Sequence, residues 1–128
     1  MSDKPNILAV DDSRTMRGML QHVLSNAGFN VETAEDGVDG LEKLEEKSDD
    51  VLPDLIISDI NMPRLDGFGF VEGVRSKTEY RGIPILILTT ESAPEMKNRA
   101  RQAGASGWIV KPFNEELLVG AIRKVLAH

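Results

Sequence analysis

Two short apolar runs constrain the fold of this chain more than any other feature. Ile7-Leu8-Ala9-Val10 and Leu55-Ile56-Ile57-Ser58 have the length of strands, and they lack the polar alternation of a half-exposed strand. Nearly continuous apolar strands are typical of parallel sheets, in which helices cover both faces. The runs therefore predict a parallel sheet that is buried on both sides.

Strand patterns and helix patterns alternate along the whole chain. We predict strands over residues 6–10, 31–34, 54–58, 83–89 and 108–110, each followed by a helix. This alternation is typical of an α/β domain with a doubly wound parallel sheet and right-handed crossovers. Because no repeat or low-complexity linker interrupts it, we expect residues 1–128 to form a single domain.

Local signals predict where the helices begin and end. Gly28 is expected to end the first helix, and Asp36 and Asn114 are expected to cap the second and fifth. Ser92 and Glu95 have the spacing of a capping box at the start of the fourth helix.

Apolar periodicity predicts which helix faces are buried. The stripe of the first helix includes Met16 and Met19, and in the third helix Phe70 fits the stripe whereas Phe68 does not. The fifth helix is expected to bury five side chains, namely Leu117, Leu118, Ala121, Ile122 and Val125.

Composition narrows the class of protein. The chain has no cysteine, no signal-peptide pattern at its start and no apolar run of membrane-spanning length, so we expect a cytoplasmic protein without a membrane partner. The net charge of −6 argues against a nucleic-acid partner. Residues 93–128 nevertheless carry +3, which indicates either ordinary solvated helix faces or a basic surface for an acidic partner.

Polar side chains follow four of the five predicted strands. They are Asp11 and Asp12 after the first, Asp59 after the third, Thr89 and Thr90 after the fourth, and Lys111 after the fifth. A single aspartate in such a place is usually a cap or a turn residue. The carboxyl ends of parallel strands, however, form the crevice in which open α/β sheets bind ligands.

Three carboxylates in one crevice repel one another unless a cation joins them, and an all-oxygen site of this kind suits Mg²⁺. The charges of the three aspartates, one Mg²⁺ and Lys111 sum to zero. A phosphoryl group could then be held by the metal, the lysine and the Thr89 hydroxyl. The set therefore predicts phosphoryl transfer with a carboxylate as the nucleophile.

Four sequence blocks lie at the predicted strand ends: Val10-Asp11-Asp12-Ser13, residues 58–67 with Asn61-Met62-Pro63, Leu88-Thr89-Thr90-Glu91, and Val110-Lys111-Pro112-Phe113. In order and spacing, over essentially the whole chain, these four blocks resemble the signature blocks of response-regulator receiver domains. Residues 12–17 and 103–108 further resemble the stand-alone chemotaxis receivers of that family. The resemblance implies a flavodoxin-like (βα)5 fold with strand order 2-1-3-4-5, and a receiver without an output domain.

The resemblance also implies a role for each matching residue. Asp59 matches the acceptor of a phosphoryl group from a histidine kinase, and Asp11, Asp12, Asp59 and the backbone carbonyl of Asn61 match the Mg²⁺ ligands. Thr89 matches the hydroxyl that bonds the phosphoryl group, and Lys111 matches the lysine that pairs with it. The Lys111–Pro112 peptide bond is expected to be cis.

Three further positions concern regulation. Asn61 and Glu91 match the positions that tune dephosphorylation in the family. Trp108, the only tryptophan, stands where chemotaxis receivers have a switch tyrosine. It is read either as the switch aromatic, without the phenolic hydroxyl, or as a partly buried strand residue.

Two other classes of protein share parts of this pattern. A phosphatase of the haloacid-dehalogenase type needs a second aspartate two residues after its nucleophile, where this chain has Asn61. A flavin-binding flavodoxin would need a hydroxyl-rich phosphate loop after the first strand, where Asp11 and Asp12 would repel the phosphate.

The receiver interpretation implies a monomeric signalling protein that catalyses only its own phosphotransfer and dephosphorylation. Its expected partners are a histidine kinase, a flagellar switch protein or a similar acidic helix, and a phosphatase. A phosphate sink and a relay to a non-flagellar partner would have the same sequence pattern, so these alternatives stay open.

Overall fold

One five-stranded parallel sheet organises the structure, a computed structural model that describes residues 4–47 and 51–127. The strands are β1 (Asn6–Val10), β2 (Asn30–Ala34), β3 (Leu55–Ser58), β4 (Ile85–Thr89) and β5 (Gly107–Val110). Their spatial order is β2-β1-β3-β4-β5, and every neighbouring pair is parallel. The predicted fold class and strand order are confirmed.

In the described residues, five α-helices alternate with the strands and cover both faces of the sheet, and a short 3-10 helix (Thr78–Tyr80) precedes β4. The α-helices are α1 (Arg14–Asn26), α2 (Gly37–Glu45), α3 (Gly67–Arg75), α4 (Pro94–Ala103) and α5 (Glu115–Leu126). Within the described part of the chain, no helix has the length and apolar character needed to cross a membrane.

The core has two layers because successive strand residues point to opposite faces. On one face, Ile7 and Ala9 of β1 pack with Leu20 of α1 and with Leu118 and Ile122 of α5. On the other face, alternate strand residues pack against the three remaining helices through Leu44, Phe70 and Ala100. This double covering explains why the strands have continuous apolar sequences.

The predicted helix ends are confirmed at three positions. The side chains of Asp36 and Asn114 accept hydrogen bonds from amides three residues on, at the starts of α2 and α5. Gly28 follows α1 with a φ of 98°, a left-handed conformation that glycine adopts without steric cost.

The predicted start of α4 is wrong. The helix begins at Pro94, and its N-cap is Ala93, whose side chain makes no capping bond. Because the fixed φ of proline suits the first helical position, Pro94 takes that position and leaves Ser92 outside the helix. The Ser92–Glu95 pair is therefore not a capping box.

Two strands begin later than predicted. The amide of Asp54 bonds to the carbonyl of Asn6 just before β3, and the strand itself begins at Leu55. Strand β4 begins at Ile85 because Pro84 has no amide hydrogen to donate, and the amide of Ile83 bonds back to Tyr80.

Three predictions of burial are also wrong. Leu117 is 59% exposed, and Met19 of α1 is exposed as well. Phe68 is buried together with Phe70 in the same core layer, and the guanidinium of Arg99 on α4 stacks over its ring at 4.0 Å. His128 lies outside the described residues, and His22 is exposed as expected.

Gly67, at the start of α3, is pressed against the end of β3. A Cβ there would lie 2.2 Å from the Asp59 carbonyl oxygen and 2.8 Å from the Ile60 Cα. We expect Gly67→Ala to lower the free energy of unfolding by about 2 kcal/mol or more, because backbone atoms must move. The matched control is Gly18→Ala in α1, where a Cβ meets nothing within 4 Å.

Gly18→Ala should stabilise the protein by about 1 kcal/mol, the difference in helix propensity. Urea unfolding of both variants provides the measurement. Equal free energies of unfolding for the Gly67 variant and the wild type would contradict this packing at Gly67.

Candidate functional site

The carboxyl ends of β1 and β3 lie side by side at the centre of the sheet. Strand β1 pairs with β2 on one side and with β3 on the other, so the strand order reverses direction here. Such a switch point opens a crevice in which α/β sheets bind ligands. Asp11 and Asp12 follow β1, and Asp59 follows β3 with its amide bonded to the Val10 carbonyl at 3.0 Å.

The three aspartates come together as predicted. One carboxylate oxygen of each of Asp11, Asp12 and Asp59 lies within 4.8 Å of those of the other two. Asp11 is buried, Asp59 is partly buried and Asp12 is exposed. The cluster thus has a buried wall and an open side through which a ligand could enter.

Lys111, which follows the edge strand β5, connects two of these carboxylates. Its ammonium, in a side chain only 10% exposed, donates to Asp11 Oδ2 at 2.7 Å and to Asp59 Oδ2 at 3.3 Å. The peptide bond to Pro112 is cis, as expected. A strand-end lysine and two strand-end aspartates therefore form one charge-assisted network.

The pKa values of this network reflect competition between burial and charge. Burial raises the pKa of Asp11, against the lowering effect of hydrogen bonds from Lys111 and the Ser13 amide. For Lys111, burial alone would lower the pKa, but the hydrogen bond to Asp11 and the charges of Asp11 and Asp59 outweigh it and raise the pKa. The ammonium therefore stays protonated and offsets the carboxylate repulsion.

Two residues that the sequence analysis did not assign also hold Asp11. The amide of Ser13 donates to Asp11 Oδ1 at 2.9 Å, and Arg17 Nη1 donates to the Asp11 carbonyl at 2.8 Å. Ser13 also caps α1 through its hydroxyl, a role that its residue type and position could have revealed. No comparable sequence signal marks Arg17.

Glu91 joins the predicted regulatory residues. Its carboxylate accepts from Asn61 Nδ2 at 3.1 Å, and its carbonyl accepts from the Trp108 indole at 3.0 Å. Its amide contacts the hydroxyl of the buried Thr89 at 3.4 Å. Thr90, in contrast, is exposed and does not join this group of contacts. One loop thus links the site to a partly buried aromatic ring on β5.

Comparison with known proteins identifies the family. The sequence profile of the response regulator receiver domain matches residues 7–123. This chain belongs to the response-regulator receiver domain family.

Similar proteins include chemotaxis proteins and a short segment of a much larger histidine kinase. Chemotaxis protein CheY1 of Helicobacter pylori is 39% identical over 121 residues, covering 94% of this chain and 95% of the relative. Hybrid signal transduction histidine kinase D of Dictyostelium discoideum is 38% identical over 120 residues, which are 94% of this chain but 7% of that protein. The solved structure of Vibrio cholerae chemotaxis protein CheY4 has a TM-score of 0.88 and 47% identity, covering 95% of this chain and 98% of that one.

The donor set of the cluster fits the magnesium site of receiver domains. Carboxylate oxygens are hard ligands, and magnesium is commonly bound through one or two carboxylates together with water and phosphate oxygens. Asp11, Asp12 and Asp59 supply such oxygens within 4.8 Å of one another, with one of the residues open to solvent. The structure therefore fits a magnesium ion by donor chemistry and by spacing.

The Lys111 ammonium should stabilise the folded protein most when no divalent cation is present. We expect Lys111→Ala to lower the free energy of unfolding in chelator by about 3 kcal/mol, because Asp11 loses its buried partner. Added Mg²⁺ should then raise the melting temperature more in the variant than in the wild type, since a cation replaces the lost charge.

Lys124→Ala is the matched control, because it removes the same charge from an exposed position. We expect a change within about 0.5 kcal/mol for it. If Lys111→Ala in chelator were as stable as the wild type, Lys111 would not be offsetting the repulsion between the carboxylates. Thermal melts with and without Mg²⁺ provide the measurement.

Proposed function

We propose that the protein is a phosphorylation-activated response regulator, with Asp59 as the acceptor of a phosphoryl group from a histidine kinase. The observation that carries the proposal is the contact network of Asp59 with Asp11, Asp12 and Lys111 in a chain of the receiver family. The partly buried Asp59 carboxylate lies beside the exposed Asp12 carboxylate and the hydrogen-bonded Lys111 ammonium. This combination suits a nucleophile that must meet an anionic donor.

The residues of the chain have distinct tasks in the proposed transfer. An oxygen of Asp59 forms a bond to phosphorus as the bond from phosphorus to the kinase's histidine nitrogen breaks and the imidazole leaves. The Lys111 ammonium, which already donates a hydrogen bond to Asp59, then pairs with the phosphoryl oxygens and stabilises their negative charge. The Thr89 hydroxyl, at the end of neighbouring β4, turns from the Glu91 amide to the phosphoryl group.

Asp11, Asp12, Asp59 and the carbonyl of Asn61 are the proposed magnesium ligands. When bound, the ion would supply positive charge to the phosphoryl oxygens as the transfer proceeds. Asp11 is buried and held by Ser13, whereas Asp12 is exposed. We propose that Asp11 sets the position of the site and that Asp12 gives access to it.

Asn61 and Glu91 are proposed to set the lifetime of the phosphorylated state. Their side chains are hydrogen-bonded to each other at 3.1 Å, and Asn61 is exposed two residues after Asp59. In this proposal the pair limits the approach of the attacking water molecule through its size and through its freedom to separate.

We propose that the output surface consists of α4, β5 and α5, and that in the cell it meets a flagellar switch protein or a similar acidic helix. The similarity to two chemotaxis receivers supports this choice. The exposed cations Lys97, Arg101 and Lys124 favour an acidic partner. Lys111 does not contribute to this surface, because its charge is held within the carboxylate cluster.

A phosphate sink or a relay receiver is the second candidate function. The receiver-like segment of a hybrid histidine kinase is nearly as similar to this chain as the chemotaxis protein CheY1. A sink would carry the same acceptor site but would gain no affinity for an output partner on phosphorylation.

The first test is labelling with acetyl phosphate and Mg²⁺, which needs no second protein. We expect the wild type to take up one phosphoryl group and Asp59→Asn to take up none, because the amide cannot act as the nucleophile. Chelation of Mg²⁺ should abolish labelling of the wild type. Intact-mass spectrometry follows the adduct.

Asp54→Asn is the matched control, since it makes the same substitution at an exposed aspartate beside β3. It should label like the wild type. Stoichiometric labelling of Asp59→Asn would overturn the assignment of the acceptor.

Trp108 provides an intrinsic signal for activation. Its indole donates to the Glu91 carbonyl, and the Glu91 amide contacts Thr89, so movement of Thr89 toward a phosphoryl group should change the surroundings of the ring. We expect the emission of Trp108 to change when beryllofluoride and Mg²⁺ are added to the wild type, and to stay constant in Asp59→Asn. Constant emission in fully loaded wild-type protein would exclude Trp108 from the switch.

A further inference from the structure

The loop between β3 and α3, residues 60–66, carries Asn61, a proposed magnesium ligand. Its base is well fixed. The amide of Gly67 donates to the Ile60 carbonyl at 2.8 Å, and the amide of Ile60 donates to Asp59 Oδ1 at 2.6 Å. The loop is thus closed directly onto the acceptor residue, and any motion that remains must come from its tip.

The tip of the loop is a tight turn in an unfavourable conformation. The amide of Leu65 donates to the Pro63 carbonyl at 2.7 Å, which closes a three-residue turn around Arg64. Arg64 has a φ of 64°, the only positive φ of a non-glycine residue in the described ranges. Such turns are rare and persist only where neighbouring structure holds them.

A two-point ion pair holds this tip. Arg64 Nε donates to Asp36 Oδ2 at 2.7 Å, and Arg64 Nη2 donates to Asp36 Oδ1 at 3.0 Å. The Asp36 side chain is only 4% exposed, whereas that of Arg64 is 51% exposed. Two parallel bonds between a planar guanidinium and a carboxylate fix orientation as well as distance. The hydrogen bond with Arg64 also keeps the pKa of Asp36 below its usual value, so the pair remains charged at neutral pH.

The backbone reinforces the same contact. The amide of Gly37, the first residue of α2, donates to the Leu65 carbonyl at 3.1 Å. A Cβ on Gly37 would lie 2.6 Å from that carbonyl oxygen, so the close approach requires glycine. Asp36 meanwhile caps α2 through the Asp39 amide at 2.8 Å, which anchors the carboxylate to a helix.

We propose that the Asp36–Arg64 ion pair is a clamp that positions the 60–66 loop, and through it the Asn61 carbonyl, for magnesium binding. This inference rests on the proposed function, because it assigns the clamp to the same site. Asp36 already has a capping role that does not need Arg64. The strained turn places the Arg64 guanidinium on Asp36, so the loop has one fixed tip in addition to its fixed base.

The test is Mg²⁺ binding by calorimetry, with amide hydrogen exchange of the metal-free protein as a second readout. Arg64→Ala should weaken Mg²⁺ binding by roughly ten-fold, as is usual when support of a metal ligand is lost. The hydrogen-bonded amides of Leu65 and Gly37 should exchange faster, because the tip is released. Unchanged Mg²⁺ affinity together with unchanged exchange would overturn the clamp.

Three variants separate the ion pair from its surroundings. Arg64→Gly removes the pair but accepts the positive φ, so it should be better folded than Arg64→Ala and should bind Mg²⁺ equally weakly. Asp36→Asn keeps a capping side chain but loses the charge, and it should also weaken binding. Arg64→Lys keeps the charge without the paired donors and should restore only part of the affinity.

Lys47→Gln is the matched control, because it removes the same charge and breaks the Lys47–Glu32 ion pair near the other end of α2. It should bind Mg²⁺ like the wild type. If Arg64→Gly binds Mg²⁺ as tightly as the wild type, the ion pair is dispensable. The clamp then fails while the proposed function stands, provided that the wild type binds Mg²⁺ and is labelled on Asp59. If the wild type neither binds Mg²⁺ nor is labelled, the proposed function itself fails.

Discussion

The ammonium of Lys111, shared between Asp11 and Asp59, is the interaction on which the rest of the site depends. Two ionised carboxylates in a partly buried crevice repel each other strongly, and the Lys111 ammonium that bonds to both offsets this repulsion. Lys111 supplies that charge from β5, two strands away from β3 in the sheet. One lysine does not neutralise the site, because a third carboxylate, that of Asp12, lies beside the pair. The remaining negative charge makes a divalent cation a fitting ligand of the cluster.

The fold makes this arrangement possible because the parallel strands end at the same edge of the sheet, where the side chains that follow them can reach one another. Strands β1, β3, β4 and β5 all run in the same direction, so the residues that follow them meet in one crevice. Helices on both faces bury the sheet. The loops beyond that edge then differ in what they do. One carries Asn61 and is held at Arg64, and another carries Glu91 and contacts Trp108.

The sequence was sufficient to predict the fold class, the strand-end residues and the helix ends at Gly28, Asp36 and Asn114, because those features depend on short-range patterns. The strand order came from the family resemblance. Some predictions that depend on contacts distant in sequence failed. Phe68 is buried in the core and Arg99 of α4 lies over its ring, and helical periodicity alone does not contain those contacts. The Asp36–Arg64 pair joins residues 28 positions apart, and neither residue type nor spacing marks it.

The central claim is that Asp59 is the acceptor in a charge-balanced cluster completed by a divalent cation. A crystal structure with Mg²⁺ and beryllofluoride tests it most directly. We predict the beryllium on a carboxylate oxygen of Asp59, the metal among Asp11, Asp12 and Asp59, and the Lys111 ammonium moved from Asp11 onto a fluoride. Beryllium on another residue, or Lys111 still bonded to Asp11 in a loaded site, would contradict the account.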